Sequence, residues 1–185
     1  SAKEAFKYAI SRQEILSVLG ITIIVNIWAF PMFSMIPVIG KAELGLSASV
    51  IGVIMSLWGV AGFLGAMIIA RQAKSKHFRL YYFYSVWIIL ISVFVMGTMP
   101  GPLVISLGLV VAGFASAGFT TMQSTLIYQL APIEMRGRLF GVLTICIGSG
   151  LVGLANIGFM AEHFGASNAL WMVALEGVIP MTVIG

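Results

Sequence analysis

Six long apolar runs alternate with short polar or glycine- and proline-bearing stretches along this chain. They fall at about residues 15–39, 47–70, 79–98, 102–130, 139–161 and 168–185. Each is near the roughly 20 residues that a helix needs to cross the hydrocarbon core of a bilayer. The fourth is longer and has room to tilt. A β-barrel would need short alternating strands, which continuous runs contradict. The pattern predicts an all-α polytopic membrane protein. Residues 1–14 are expected to form a cytoplasmic juxtamembrane segment, and residues 15–185 a bundle of six transmembrane helices.

Composition strengthens that reading. Only 9% of residues are charged and Asp is absent, with a mean hydropathy of +1.08. A soluble domain carries roughly 25% charged residues, so this chain lacks the polar surface to cover a globule in water. The net charge of +4 does not point to nucleic acid, because the basic residues sit in short loops where they set orientation. A single cysteine, Cys146, excludes an intrachain disulfide and a cysteine-rich metal site. His77 and His163 are too isolated for a metal centre, so neither metal nor cofactor is expected. The first apolar run is too long for a cleavable signal peptide and lacks a small-residue cleavage pattern. A start at Ser1 and an end at Gly185 without a basic flank suggest a processed chain, or one cut from something longer.

Charge in the loops sets the orientation. Lys3, Lys7, Arg12, Arg71, Lys74, Lys76, Arg79, Arg136 and Arg138 fall on one side, and only Lys41 on the other. By the positive-inside rule both termini are cytoplasmic and the chain is a multi-pass protein of the cell (inner) membrane. Tyr81, Tyr82, Tyr84 and Trp87 at the inner end of the third run, and Trp171 at the outer end of the sixth, fit interfacial aromatic belts.

A faint internal repeat appears at a shift of 89 residues. Gly52-Val53 falls on Gly141-Val142, Gly59 on Gly148, Ala66 on Ala155, and Ile68 on Ile157. The second run then matches the fifth with opposite direction through the membrane. Three helices plus three inverted helices is the internal plan of half a major facilitator.

Three stretches add a resemblance. Leu44-Gly45-Leu46-Ser47-Ala48-Ser49-Val50-Ile51-Gly52 looks like an outer loop entering the eighth helix of such a transporter. Pro132-x-Glu134-x-Arg136-Gly137-Arg138 is similar to the cytoplasmic loop between its tenth and eleventh helices. Gly158-Phe159-Met160-Ala161-Glu162-His163-Phe164-Gly165 is similar to the end of its eleventh helix. On these residues the chain resembles the C-terminal six-helix half of a major facilitator superfamily (MFS) transporter. Among its branches it looks most like bacterial exporters of the enterobactin-exporter and transmembrane secretion effector kind. The resemblance implies a small-molecule solute, a lipid bilayer and a second six-helix half as partners, the last covalent or a second copy. One family motif is broken: Gly65 is followed by Ile69 where an Asp is expected, then Ala70 and Arg71.

Candidate residues follow. Glu134, Arg136 and Arg138 suit a cytoplasmic charge cluster that breaks and re-forms. Pro132 stops the fourth helix, and Gly137 permits a tight turn. Asn26 lies mid-membrane in a helix that Pro31 and Pro37 invite to kink. Thr120, Gln123 and Ser124 share one face of the fourth helix. The resemblance places the first and fourth helices beside a cavity, so Asn26, Thr120, Gln123 and Ser124 are substrate-path candidates. Helix–helix hydrogen bonding competes with that role. Glu176, near the middle of the sixth helix, is a proton-coupling candidate. The glycines of the second and fifth helices, Gly52, Gly59, Gly141 and Gly148 among them, read as helix-packing faces.

Secondary transport, with export the expected direction, is therefore the leading function. A non-transporting scaffold or truncated remnant is the alternative. Gly148-Ser149-Gly150 also raises an intramembrane serine protease, but Ile147 stands where such a motif needs glycine, and no histidine follows His163.

Overall fold

Helix follows almost everywhere that apolar runs lead. The computed structural model describes residues 2–72 and 77–184, so Lys74 and Lys76 of the second basic loop lie outside the described residues. The α-helices are α1 (Ala2–Ser11), α2 (Gln13–Ile24), α3 (Met32–Val38), α4 (Ala48–Gln72), α5 (Phe78–Thr98), α6 (Pro102–Leu130), α7 (Arg136–Gly148), α8 (Gly150–Phe164) and α9 (Ala166–Ile184). Among the described residues there is no strand, and six rods are long and apolar enough to cross a membrane. Rod one joins α2 and α3 over Gln13–Glu43; rod five joins α7 and α8 over Ile133–Phe164; the others are α4, α5, α6 and α9.

Rod one bends by the means its prolines demand. Pro31 has no N–H, and its ring crowds the carbonyl four residues back. A π-helical turn over Val25–Ala29 absorbs the conflict, closed by the Phe30 N–H donating to the Val25 carbonyl at 2.9 Å. A second π-turn, Ile39–Glu43, follows Pro37. Rod five, expected to run unbroken, breaks at Ser149. Glycines on either side leave that turn unbraced, and the Ser149 hydroxyl donates to the Cys146 carbonyl at 2.6 Å.

Pro132 does stop α6: Ala131 before it is extended, as the proline ring requires. Gly137 has a different role from the one expected. The turn is a 3₁₀ turn over Ile133–Met135, and Gly137 already lies inside α7. Among the described residues positive φ occurs only at Gly45 and Gly165. Gly165 (φ 86°, ψ 158°) is the entire link between α8 and α9, a conformation essentially confined to glycine.

Residues 2–11 form a helix, α1, that lies against α2 and α7. It buries Ala5 and Ala9 and leaves Phe6 and Ile10 exposed. Tyr82 is also corrected: it is 2% exposed and stacks on Phe119 with ring centroids 5.3 Å apart, so it is no interfacial anchor. Its hydroxyl is drawn inward by partners on α2.

Packing follows the inverted repeat. α4 rests chiefly on α6, and rod five rests on rod one and α9. Only 17% of α4's apolar stretch and 22% of rod five's is buried, against 61% for rod one. The two rods matched by the 89-residue shift are thus the two that present the most open surface.

Candidate functional site

Polar side chains gather into three groups, two within the bundle and one exposed at its end. The first joins rod one, α5 and α6. The Gln123 amide donates to Thr22 Oγ1 at 2.7 Å. Thr22 Oγ1 donates to the Val18 carbonyl at 2.8 Å, and the Tyr82 hydroxyl donates to the same carbonyl at 2.9 Å. The Asn26 amide donates to the Thr22 carbonyl at 2.9 Å. Gln123 is 6% exposed and Thr22 fully buried. Gln123 therefore stands inside the bundle as a helix-to-helix tie. Thr120 and Ser124 are exposed on α6, and Thr120 Oγ1 bonds its own helix at the Ser116 carbonyl, 2.9 Å. The shared face read from the sequence is split between interior and surface.

Asn26 also borders a groove of about 330 Å³ between rods one and five, with Phe30, Pro31, Gly148, Gly150 and Leu151. A larger groove of about 640 Å³ lies between α2, α5 and α6, beside the Glu14–Arg79 ion pair.

The second polar group is at mid-depth. Glu176 lies ten residues into α9 and eight from its end. At ~1.5 Å per residue, that is about 15 Å and 12 Å from the two ends. The Asn156 amide donates to Glu176 Oε2 at 2.8 Å, and the Trp28 indole N–H donates to the same oxygen at 3.1 Å. Two glycines let the three helices meet here. A Cβ on Gly177 would lie 2.8 Å from Trp28 Cβ, and one on Gly153 would collide with the Ile27 backbone. The π-turn that widens around Pro31 carries both Ile27 and Trp28 to that junction. Asn156 received no role from its sequence alone. Its signal is positional: it lies nine residues before Gly165 and Glu176 eleven after it, so a one-residue link brings both to similar depth.

The third group is at the end of the bundle where α1 meets α7. Arg138 pairs with Glu4 of α1 at 3.0 Å, and Arg136 lies over the Tyr128 ring at 3.9 Å and donates to the Ala131 carbonyl. Glu134 is exposed and pairs with neither arginine. At the opposite end Glu43 accepts from the Ser167 N–H and hydroxyl, tying rod one to the start of α9.

The glycines divide into two sets. Gly97, Gly113, Gly153 and Gly177 hold helices together, with neighbouring atoms already inside the space of a Cβ. Gly52, Gly59, Gly141 and Gly148, expected at packing faces, meet nothing within 4 Å. They lie on the outer sides of α4 and α7, so within this chain they pack against no helix. The Ser149 hydroxyl is spent on its own helix.

The chain matches the Major Facilitator Superfamily over residues 1–182. No curated protein and no solved structure matches it.

Proposed function

The chain belongs to the Major Facilitator Superfamily, a family of membrane transporters, and from that premise we propose that it forms one wall of a secondary active exporter working by alternating access. The observation that carries the proposal is the open surface of α4 and rod five. Four glycines, related in pairs by the inverted repeat, face outward there with nothing against them. A second six-helix half approaches closely on that surface, and rigid bundles rock across it. The solute path runs between the halves, along the exposed Thr120 and Ser124 and past the Asn26 groove. Gln123 shapes that wall from behind. Glu176 carries the coupling proton on Oε1, which has no partner among the described residues. The Arg138–Glu4 pair closes the cytoplasmic end in one state and opens in the other. The membrane is the inner membrane, with both termini cytoplasmic.

The test is reconstitution of the intact protein in liposomes with a panel of amphipathic solutes, with and without a pH gradient. Gradient-driven movement is expected for the wild type. Gly59→Trp and Gly148→Trp are expected to abolish it while the protein stays folded. Transport by either variant at the wild-type rate refutes the proposed inter-bundle surface.

A further inference from the structure

Glu176, Asn156 and Trp28 also border a groove of about 570 Å³, whose remaining walls are Ile27, Val152, Ile179 and Pro180. That volume is within the roughly 300–1,000 Å³ of small-molecule sites. No Lys, Arg or His lines it. Val152 and Ile179 are 60% and 68% exposed, so the groove opens sideways from the bundle. We infer that this groove binds a lipophilic organic cation, with Glu176 as its counter-charge and the Trp28 indole as part of its wall.

Depth and charge select that occupant. A lipid headgroup sits at the bilayer surface, whereas Glu176 is far from both ends of α9. A small inorganic cation would have to give up its hydration in an apolar groove with one free carboxylate oxygen. A delocalised or quaternary cation dissolves in hydrocarbon and loses little hydration on arrival. Its attraction to a carboxylate grows as the local dielectric falls, and an indole face adds cation–π attraction. The hydrogen bonds fit the same role. Asn156 and Trp28 both occupy Oε2 and hold the carboxyl plane in place, while Oε1 is left toward an incoming charge. The groove lies apart from the proposed solute path along α6 and the Asn26 groove, and shares with the proposed transport cycle only Glu176, whose Oε1 takes the coupling proton when no cation faces it.

Tetraphenylphosphonium tests the inference. Radiolabelled probe is bound to the intact protein in phosphatidylcholine nanodiscs at neutral pH, with empty nanodiscs subtracted. Saturable binding is expected. Glu176→Gln keeps an oxygen for Asn156 and Trp28 but removes the charge, and is expected to weaken binding at least tenfold. Glu176→Asp is expected to retain binding to within about threefold. Neutral triphenylphosphine oxide is expected not to compete. Val152→Trp fills the groove from an exposed wall position and should abolish binding even if the Glu176 variants prove unstable. Absence of saturable binding, or equal binding by the wild type and either Glu176→Gln or Val152→Trp, overturns the inference. Binding without solute movement in liposomes counts against the transporter reading alone; movement without this binding counts against the groove alone.

Discussion

The tie between Gln123 and Thr22 gives the sharpest test of how the interior is held. Thr22→Val keeps the side chain's shape but removes the acceptor for the Gln123 amide, 2.7 Å away. Gln123 is only 6% exposed, so its N–H loses that acceptor where water cannot replace it. Such an orphaned donor costs about 1–3 kcal/mol. Gln123→Leu removes the tie differently. Thr22 still donates to the Val18 carbonyl, so nothing polar is stranded. The loss should then be that of one interhelical hydrogen bond in a membrane, about 0.6 kcal/mol and at most ~1.7. Combining the two removes the orphan, so Gln123→Leu placed on Thr22→Val should restore stability by about 1 kcal/mol or more. Denaturant unfolding in bicelles, followed by circular dichroism and arranged as a double-mutant cycle, reads the sign directly. If Gln123→Leu destabilises the Thr22→Val protein further, the two groups are not partners and the account of this interior is wrong.

Other substitutions test other joints. Gly97→Ala should destabilise by about 1–3 kcal/mol, because its Cβ would lie 2.5 Å from the Trp171 backbone nitrogen; Gly52→Ala, with nothing within 4 Å, should leave the unfolding midpoint unchanged in the same titration. Gly165→Ala should cost about 1–3 kcal/mol through backbone strain at φ 86°, read in that assay and as faster proteolysis between α8 and α9. Glu14→Gln breaks the exposed pair with Arg79 and should change stability by less than about 1 kcal/mol, with the difference fading as salt is raised. Single cysteines at Lys7 and Lys41 should react with an impermeant maleimide from opposite faces of the membrane; labelling from one face refutes the assigned orientation.

The rods were legible in the sequence because lipid imposes a coarse rule: an apolar run of sufficient length without charge becomes a helix. Pro132 marks the end of α6 for a local reason, since its ring disfavours helix in the residue before it. The break at Ser149 was harder to see, since it follows from the absence of side chains at Gly148 and Gly150 rather than from any breaker. Rotation about each helix axis was the least legible quantity. In a uniformly apolar rod little in the pattern says which side faces inward, and that is why Tyr82 turned into the core and the four open glycines turned out of it. The 89-residue shift pairs Gly52 with Gly141 and Gly59 with Gly148, and so says that the members of each pair face alike but not which way. Long-range ties such as Arg138 to Glu4, or Glu176 to Trp28, join residues far apart in the chain through packing that no local spacing records.

The single-residue link at Gly165 bears on how the last two rods reach the membrane. An acid in α9 is a poor passenger for a translocon when it arrives alone, since a charge at a helix centre costs roughly 2.5–3.5 kcal/mol on insertion scales. With so short a tether, α8 and α9 leave the ribosome as a hairpin and can partition together. The amide of Asn156 then travels beside the carboxylate, and Glu176 leaves water already solvated by its own neighbour.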